Sequence, residues 1–247
     1  MTRPFDPQRL QFYLTIPSPC PYLPGRMERK IFTQLDPFGG SHLNNYLTHA
    51  GFRRSQNVIY RPACENCQEC RSVRIIAPQF EAGRNMRRII KRNADLKRTV
   101  NEPLATQEQF NLLQQYLHAR HLGGGMSDMD FIRYELMVEE CASQTEILEY
   151  RKADNTLVAC IIIDQLSDGL SLVYSFFTPE DKSRGLGNYM ILDQITRCNE
   201  LGHKYAYLGY WVPGSPKMDY KSRFKPFEIL TSNGWRSQVS QTGLHPK

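Results

Sequence analysis

The chain has 247 residues, 40% of them hydrophobic and 23% charged, which suits one large or two small soluble globular domains. No apolar run is long enough to span a bilayer, and the start, Met1-Thr-Arg-Pro-Phe-Asp-Pro7, lacks the apolar core of a signal peptide; no membrane partner and a cytosolic location are expected. The net charge of +6 is concentrated: within residues 83–98, Arg84, Arg87, Arg88, Lys91, Arg92, Lys97 and Arg98 face Asp95 alone, so the remainder nets zero and the block points to a polyanion.

In chain order, Cys20-Pro-Tyr-Leu-Pro-Gly-Arg26 has the Pro and Gly of a compact bend. Residues 28–35 read as a strand, 42–50 as a short helix capped by Ser41 and ended by Gly51, and 52–60 as hairpin and strand. Cys64, Cys67 and Cys70 follow at three-residue spacing in one loop, with Cys20 as a remote fourth thiol. Four thiolates suit zinc, and three close cysteines with a distant one also fit an iron–sulfur cluster. The competing reading is a metal-free knot of thiols, which neighbouring Arg71 and Arg74 would still favour as thiolates. Cys141, Cys160 and Cys198 read as buried small hydrophobes, and an odd total of seven argues against a disulfide framework.

Residues 73–80 form a strand leading into the basic block, which reads as one helix over 84–98 with Met86, Ile89, Ile90 and Leu96 as a partial apolar stripe. Its cations suit nucleic-acid phosphates, the alternative being a solvated helix face. A boundary is expected near Asn101-Glu-Pro-Leu, dividing the chain into 1–100 and 101–247. Thr106-Gln-Glu-Gln109 is a capping box opening a helix to His121, which Gly123-Gly-Gly125 breaks; Ser127-Asp-Met-Asp130 opens another to residue 142. Three antiparallel strands are expected at 146–151, 157–165 and 170–177. Then come a Pro- and Gly-rich turn, a helix over 188–201 stopped by Gly202, and a strand over 204–212. The tail from 212 reads as irregular, with Trp235 as an apolar anchor.

The order strand, glycine loop, helix, strand over residues 170–212 resembles the acyl-transfer core of the GNAT fold, so the class implied is α+β, a GNAT-like C-terminal domain with a smaller cysteine-bearing N-terminal α+β domain. The GNAT loop pattern is Arg or Gln, two residues, Gly, one residue, Gly or Ala. This chain has Lys182-Ser-Arg-Gly185-Leu-Gly187, with Lys182 departing at the first position. A glycine loop at a helix start presents free N–H groups to phosphate.

Three stretches together resemble the bacterial aspartate/glutamate leucyltransferases, relatives of the arginyl-tRNA–protein transferases: the Cys20–Arg26 bend, Gly51-Phe-Arg-Arg-Ser-Gln-Asn-Val-Ile-Tyr-Arg-Pro62 with the cysteine loop, and Tyr207-Leu-Gly-Tyr-Trp-Val with Met218-Asp-Tyr-Lys-Ser-Arg-Phe224. The resemblance implies transfer of leucine from leucyl-tRNA to the N-terminal amine of proteins beginning with Asp or Glu, marking them for N-degron degradation. It implies no cofactor for the transfer itself. The eukaryotic relatives carry a Cys-x-x-Cys pair near the start and an adjacent pair later. Here Leu23 replaces the second cysteine and a spaced triplet replaces the later pair. Arginyl transfer to the same acceptors and acetyl-coenzyme-A-dependent N-acetylation are the alternative activities.

On this reading Arg84, Arg87, Arg88, Lys91, Arg92, Lys182, Arg184, Gly185 and Gly187 would bind tRNA. Arg53, Arg54, Arg74, Lys217, Lys221 and Arg223 would meet an acidic N-terminus, and Tyr207 and Tyr210 would line the acceptor end. Tyr174 would relay a proton or orient the ester, and Glu149 would hold the incoming amine; a core aromatic and an exposed strand carboxylate are the competing roles. His118 and His121 flank a helix end, where capping is commoner than base catalysis.

Overall fold

The longest apolar run, Leu-Val-Ala-Cys-Ile-Ile-Ile at 157–163, is hydrophobic on both faces of a strand, and such a strand needs cover on both sides. The computed structural model, which describes residues 10–36, 39–120 and 129–238, gives it that cover. His121, the Gly123–Gly125 break, Ser127 and the residues from 239 lie outside the described residues.

The run is β10 (Leu157–Gln165), near the middle of an eight-stranded sheet. Around it stand β7 (Arg71–Ile76), β8 (Lys97–Asn101), β9 (Thr145–Arg151), β11 (Gly169–Phe177), β12 (Tyr205–Trp211), β13 (Phe227–Thr231) and β14 (Gly234–Ser237), in the order β14-β13-β7-β12-β11-β10-β9-β8. Helices α5 (Leu186–Glu200) and α2 (Arg84–Arg92) cover one face, where Leu148, Ile161 and Ile163 meet Met190, Ile191 and Ile195. Helices α3 (Gln107–Arg120) and α4 (Phe131–Glu139) cover the other, where Ile147, Ile162 and Phe176 meet Leu113, Tyr134 and Val138. The α3 capping box forms as expected: Gln109 N donates to Thr106 Oγ1 at 3.2 Å and Thr106 N to Gln109 Oε1 at 3.0 Å. Asp130 caps α4 by accepting from Arg133 N at 2.8 Å.

A second, four-stranded sheet has the order β1-β4-β6-β5, from β1 (Tyr13–Leu14), β4 (Lys30–Gln34), β5 (Arg53–Ser55) and β6 (Val58–Pro62). With α1 (Gly40–His49) it encloses a core of its own from Leu35, Leu43, Leu47, Phe52 and Ile59. The two-strand ribbon of β2 (Ser18–Pro19) and β3 (Met27–Glu28) holds the cysteine bend, closed by Cys20 N donating to Arg26 O at 2.8 Å.

The large sheet crosses the division expected at residue 100. β7 pairs with both β12 and β13, and β8 pairs with β9, because the apolar alternation of 71–76 can be buried only inside that sheet. The basic block is not one helix either. It ends at Arg92, Asn93 caps it, and Lys97 and Arg98 begin β8. The tail is not irregular up to 237, since β13 and β14 form a hairpin on the sheet edge. The mixed α+β class and the strand–helix–strand core, β11–α5–β12, are as the sequence implied.

The small sheet is fastened by a buried ion pair. Arg54 on β5 donates from Nε to Asp164 Oδ2 at 2.6 Å and from Nη2 to Oδ1 at 2.8 Å, each side chain 1% exposed. Asn44 of α1, Thr145 of β9 and Ser143 also donate to the carboxylate, at 3.0, 2.7 and 3.2 Å.

Candidate active site

Strands β11 and β12 are parallel, and they pair only over Gly169–Ser171 and Tyr205–Tyr207. Beyond that they diverge. In parallel sheets ligands seat at the carboxyl ends of strands where neighbours part, and two features bear on what this opening can hold.

The first is the N-terminus of α5. Gly185 caps it with φ +63°, a conformation that favours glycine. No acidic residue occupies the first turn, so nothing opposes an anion at the positive end of the helix. Gly187 packs under Phe177, whose ring a Cβ would approach to 3.1 Å. Helix α2 lies alongside: Arg92 Nη1 donates to Ser183 O, and Asn93 Nδ2 to Arg184 O at 2.8 Å. Met86 and Ile89 turn into the core, while Arg84, Arg87, Arg88, Lys91 and Arg92 are exposed and make one basic face with exposed Lys182. Arg184 is engaged with Asp95 at 2.7 Å and with Asp181 at 3.2 Å, so its charge is largely matched. Arg98 is likewise matched by Asp193 and Glu200.

The second feature is the set of cations predicted to meet the acceptor, which the structure separates. Arg53 reaches from β5 into the gap between β11 and β12 and donates to Val173 O at 2.5 Å and Leu208 O at 3.3 Å. Lys221 is buried and donates to Leu208 O at 2.8 Å and Tyr210 O at 2.5 Å; burial and the nearby Arg53 charge lower its pKa well below the ordinary lysine value. Its ammonium is therefore not available at the surface. Arg54 is committed to Asp164, as above. Arg74 pairs with Glu228 at 2.7 Å and donates to Tyr207 Oη at 3.0 Å. Only Lys217 and Arg223 of the six are exposed. Lys217 sits at the edge of a cleft of about 320 Å³ walled by Cys20, Pro21, Tyr22, Pro24, Ser215 and Pro216.

The tyrosines also divide. Tyr207 donates to Asp168 at 3.1 Å, within a cluster where His49 Nε2 lies 2.9 Å from Asp168. Tyr210 donates to Gly51 O at 2.9 Å and Tyr60 O at 3.0 Å, pinning the small sheet. Both are buried, so they brace the units rather than line an open acceptor end. Tyr174 is half-buried on β11 just past the paired stretch, and burial raises its hydroxyl pKa, so it stays protonated at neutral pH. Glu149 does not face the opening. It is buried under α3, with Gln109 Nε2 on Oε1 at 2.8 Å and Arg151 Nε on Oε2 at 2.9 Å. A carboxylate so engaged braces α3 against the sheet. His118 lies on the outer side of α3 and is exposed.

Cys20, Cys64, Cys67 and Cys70 gather between the bend and the cysteine loop, each a partly exposed free thiol. Cys70 is pushed up to about 12 by burial and by the three other sulfurs, which does not bear out the thiolate expected from Arg71 and Arg74. Arg26 Nη1 donates to Cys67 Sγ at 3.2 Å and Arg29 N to Cys64 Sγ at 3.4 Å. Among the described residues no three ligand groups stand at metal-binding spacing. Cys160 and Cys198 are buried as expected, and Cys141 is half-buried near Arg54.

Sequence reading missed Asp164, Asp168 and His49. It also missed the meaning of Gly209, whose φ is +71° and where a Cβ would overlap Arg53 Nη1. A lone Gly inside a strand pattern is the available signal for that close approach. No helix among the described residues is long and apolar enough to cross a membrane.

A basic helix beside an open helix N-terminus, next to parted parallel strands, is the layout of a group-transfer site that takes a polyanionic donor. Models of the arginine-tRNA-protein transferase N terminus and C terminus match residues 18–88 and 108–231. The aspartate/glutamate leucyltransferase of Parvibaculum lavamentivorans is 54% identical over 92% of this chain and 94% of its own length. Those of Rhodopseudomonas palustris strain HaA2 and Maricaulis maris are 49% and 51% identical, each over 96% of this chain and over 95% and 93% of their own. Among solved structures the chain is similar to FemX, with a TM-score of 0.45 and 10% identity over 76% of this chain and 64% of that one. The chain belongs to the aspartate/glutamate leucyltransferase family of tRNA–protein transferases.

Proposed function

We propose that this protein transfers leucine from leucyl-tRNA to the N-terminal amine of proteins that begin with Asp or Glu, in the cytosol, and so marks them for degradation. The observation that carries the reading is the single basic face of α2 and Lys182 beside the α5 N-terminus, at the opening between β11 and β12. That face suits the tRNA backbone, and the free N–H groups of α5 suit a phosphate near its 3′ end.

The ester of an aminoacyl-tRNA is already activated, and the attacking α-amine has a pKa of about 8. Catalysis therefore consists of holding the two reactants together, accepting one proton and stabilising the oxyanion. The amine nitrogen attacks the ester carbonyl, the C–O bond to the ribose breaks, and the 3′ oxygen leaves with a proton as the amide forms. Tyr174, neutral at working pH, suits a hydrogen-bond donor to the developing oxyanion better than a base. Lys217 and Arg223, the exposed cations of the family motif, are the remaining candidates for the acidic side chain of the acceptor. The four thiols of Cys20, Cys64, Cys67 and Cys70 would hold zinc or an iron–sulfur centre, which would tie the bend to the loop; the transfer itself needs no cofactor.

The test is transfer to a peptide with an N-terminal Asp from separately charged tRNAs. Addition of leucine from leucyl-tRNA alone is expected. Addition of arginine, or acetylation from acetyl-coenzyme A without tRNA, would replace the reading.

A further inference from the structure

Each of the two parting strands carries a bulge where its parallel pairing ends. On β11 the register with β10 jumps from Ile162↔Tyr174 to Ile163↔Leu172, so Val173 is the extra residue. On β12 the register with β7 jumps from Tyr207↔Arg74 to Gly209↔Val73, so Leu208 is the extra residue. A bulge leaves ladder groups unpaired, and a buried carbonyl without a donor is costly. Both orphaned carbonyls are taken up by one guanidinium: Arg53 donates from Nη2 to Val173 O and from Nη1 to Leu208 O. Lys221 adds a second donor to Leu208 O.

Resting on the leucyl-transfer reading, we propose that Arg53 is a positioning residue for the reaction: lent by the small sheet, it wedges β11 from β12 at the paired bulges and so sets the seat of the aminoacyl ester. Three features support a wedge over a surface charge. The guanidinium bridges both strands with its two terminal nitrogens, a span that the single ammonium of lysine cannot reproduce. Gly209, carrying no Cβ, leaves the space in which Arg53 lies across the β12 backbone, since a Cβ there would overlap Nη1. Lys221 reinforces the wedge: its buried Nζ donates to Leu208 O, beside Arg53, and to Tyr210 O on the same strand. The acyl-transfer core is on this account incomplete without the N-terminal unit.

The test uses the full chain with Arg53→Ala, Arg53→Lys and Gly209→Ala, read by steady-state leucyl transfer and by hydrogen exchange of peptides covering 170–177 and 205–212. For both Arg53 variants kcat is expected to fall about 100-fold, the scale of a misplacement of about 1 Å, with KM for tRNA and for the acidic peptide held. Exchange is expected to quicken in the two strand segments and not in β9, and free methylguanidinium should restore kcat to Arg53→Ala but not to Arg53→Lys. Gly209→Ala, which displaces the guanidinium without removing it, should give the same signature if Arg53→Ala does not fold. Unchanged exchange, or a rise in acceptor KM at constant kcat, would overturn the wedge and make Arg53 an acceptor contact. A wild-type protein that transfers nothing from any donor would remove the functional reading, and exchange alone would then decide the wedge.

Discussion

Replacing Arg54 by Met removes one partner of a fully buried pair and leaves the other in place. Asp164 would keep its bonds from Thr145 at 2.7 Å, Ser143 at 3.2 Å and Asn44 at 3.0 Å. It would lose the two charge-assisted bonds from Arg54 at 2.6 and 2.8 Å and the buried counter-charge they carry, both side chains being 1% exposed. Breaking such a pair costs about 3–5 kcal/mol. For a chain of this length that is a fall of roughly 6–20 °C in melting temperature, at about 2–4 °C per kcal/mol. Exchanging both members, Arg54→Met with Asp164→Leu, removes the stranded carboxylate and should recover most of the loss. The assay is thermal melting of the wild type and the two variants, with acceptor KM measured below the transition. The pair is a clamp between the small sheet and β10, so KM should stay at the wild-type value. A single variant that melts like wild type but binds acidic acceptors poorly would refute the clamp and return Arg54 to the acceptor site.

Arg88→Ala and Lys91→Ala should weaken binding of uncharged tRNA without regard to its sequence, and each lost phosphate contact should lower the salt slope by about 0.7–0.9, read by filter binding over a salt series. The hydrogen bond from His49 to Asp168 raises the His49 pKa, and although burial works the other way on Asp168, His49 and Tyr207 hold its carboxyl below the usual range. The His49 share of stability is fully present below its unfolded pKa of about 6.5 and is lost as pH rises through the raised folded value; the Asp168 share is present above about 3.9 and is lost as pH falls through the depressed one. The melting difference between wild type and His49→Gln should therefore be largest at about pH 4–6.5 and shrink above neutrality. Thr106→Ala removes one half of the α3 capping box and should cost about 1 kcal/mol in denaturant unfolding. Elemental analysis of protein purified without oxygen should find zinc or iron at one centre per chain, lost in Cys70→Ala; metal-free wild-type protein would leave the four thiols as a packing knot.

The strands at 146–151, 157–165 and 170–177 were legible because apolar patterning and turn residues agreed over each of them, and β9, β10 and β11 follow closely. The glycine loop was legible for the same reason: Gly185 and Gly187 are placed where a helix start meets a strand end. What the sequence hid is long-range partnership. Arg54 and Arg74 look like free cations, and only the fold brings Asp164 and Glu228 to them. Lys97 and Arg98 extend the charge of α2 but not its period, and cross-strand pairing with β9 overrides the helical reading. The large sheet crosses the division expected at residue 100 because the strand order of a sheet need not follow the chain: residues 71–76 lie between β12 and β13.

The central claim is tested most directly by incubating the pure protein with a peptide beginning with Asp and with leucyl-tRNA or arginyl-tRNA, and weighing the peptide by mass spectrometry. One added leucine, from the leucyl donor only and abolished when the peptide's α-amine is acetylated, is the predicted result. No mass gain from either charged tRNA, with the basic face of α2 and the peptide intact, would contradict it.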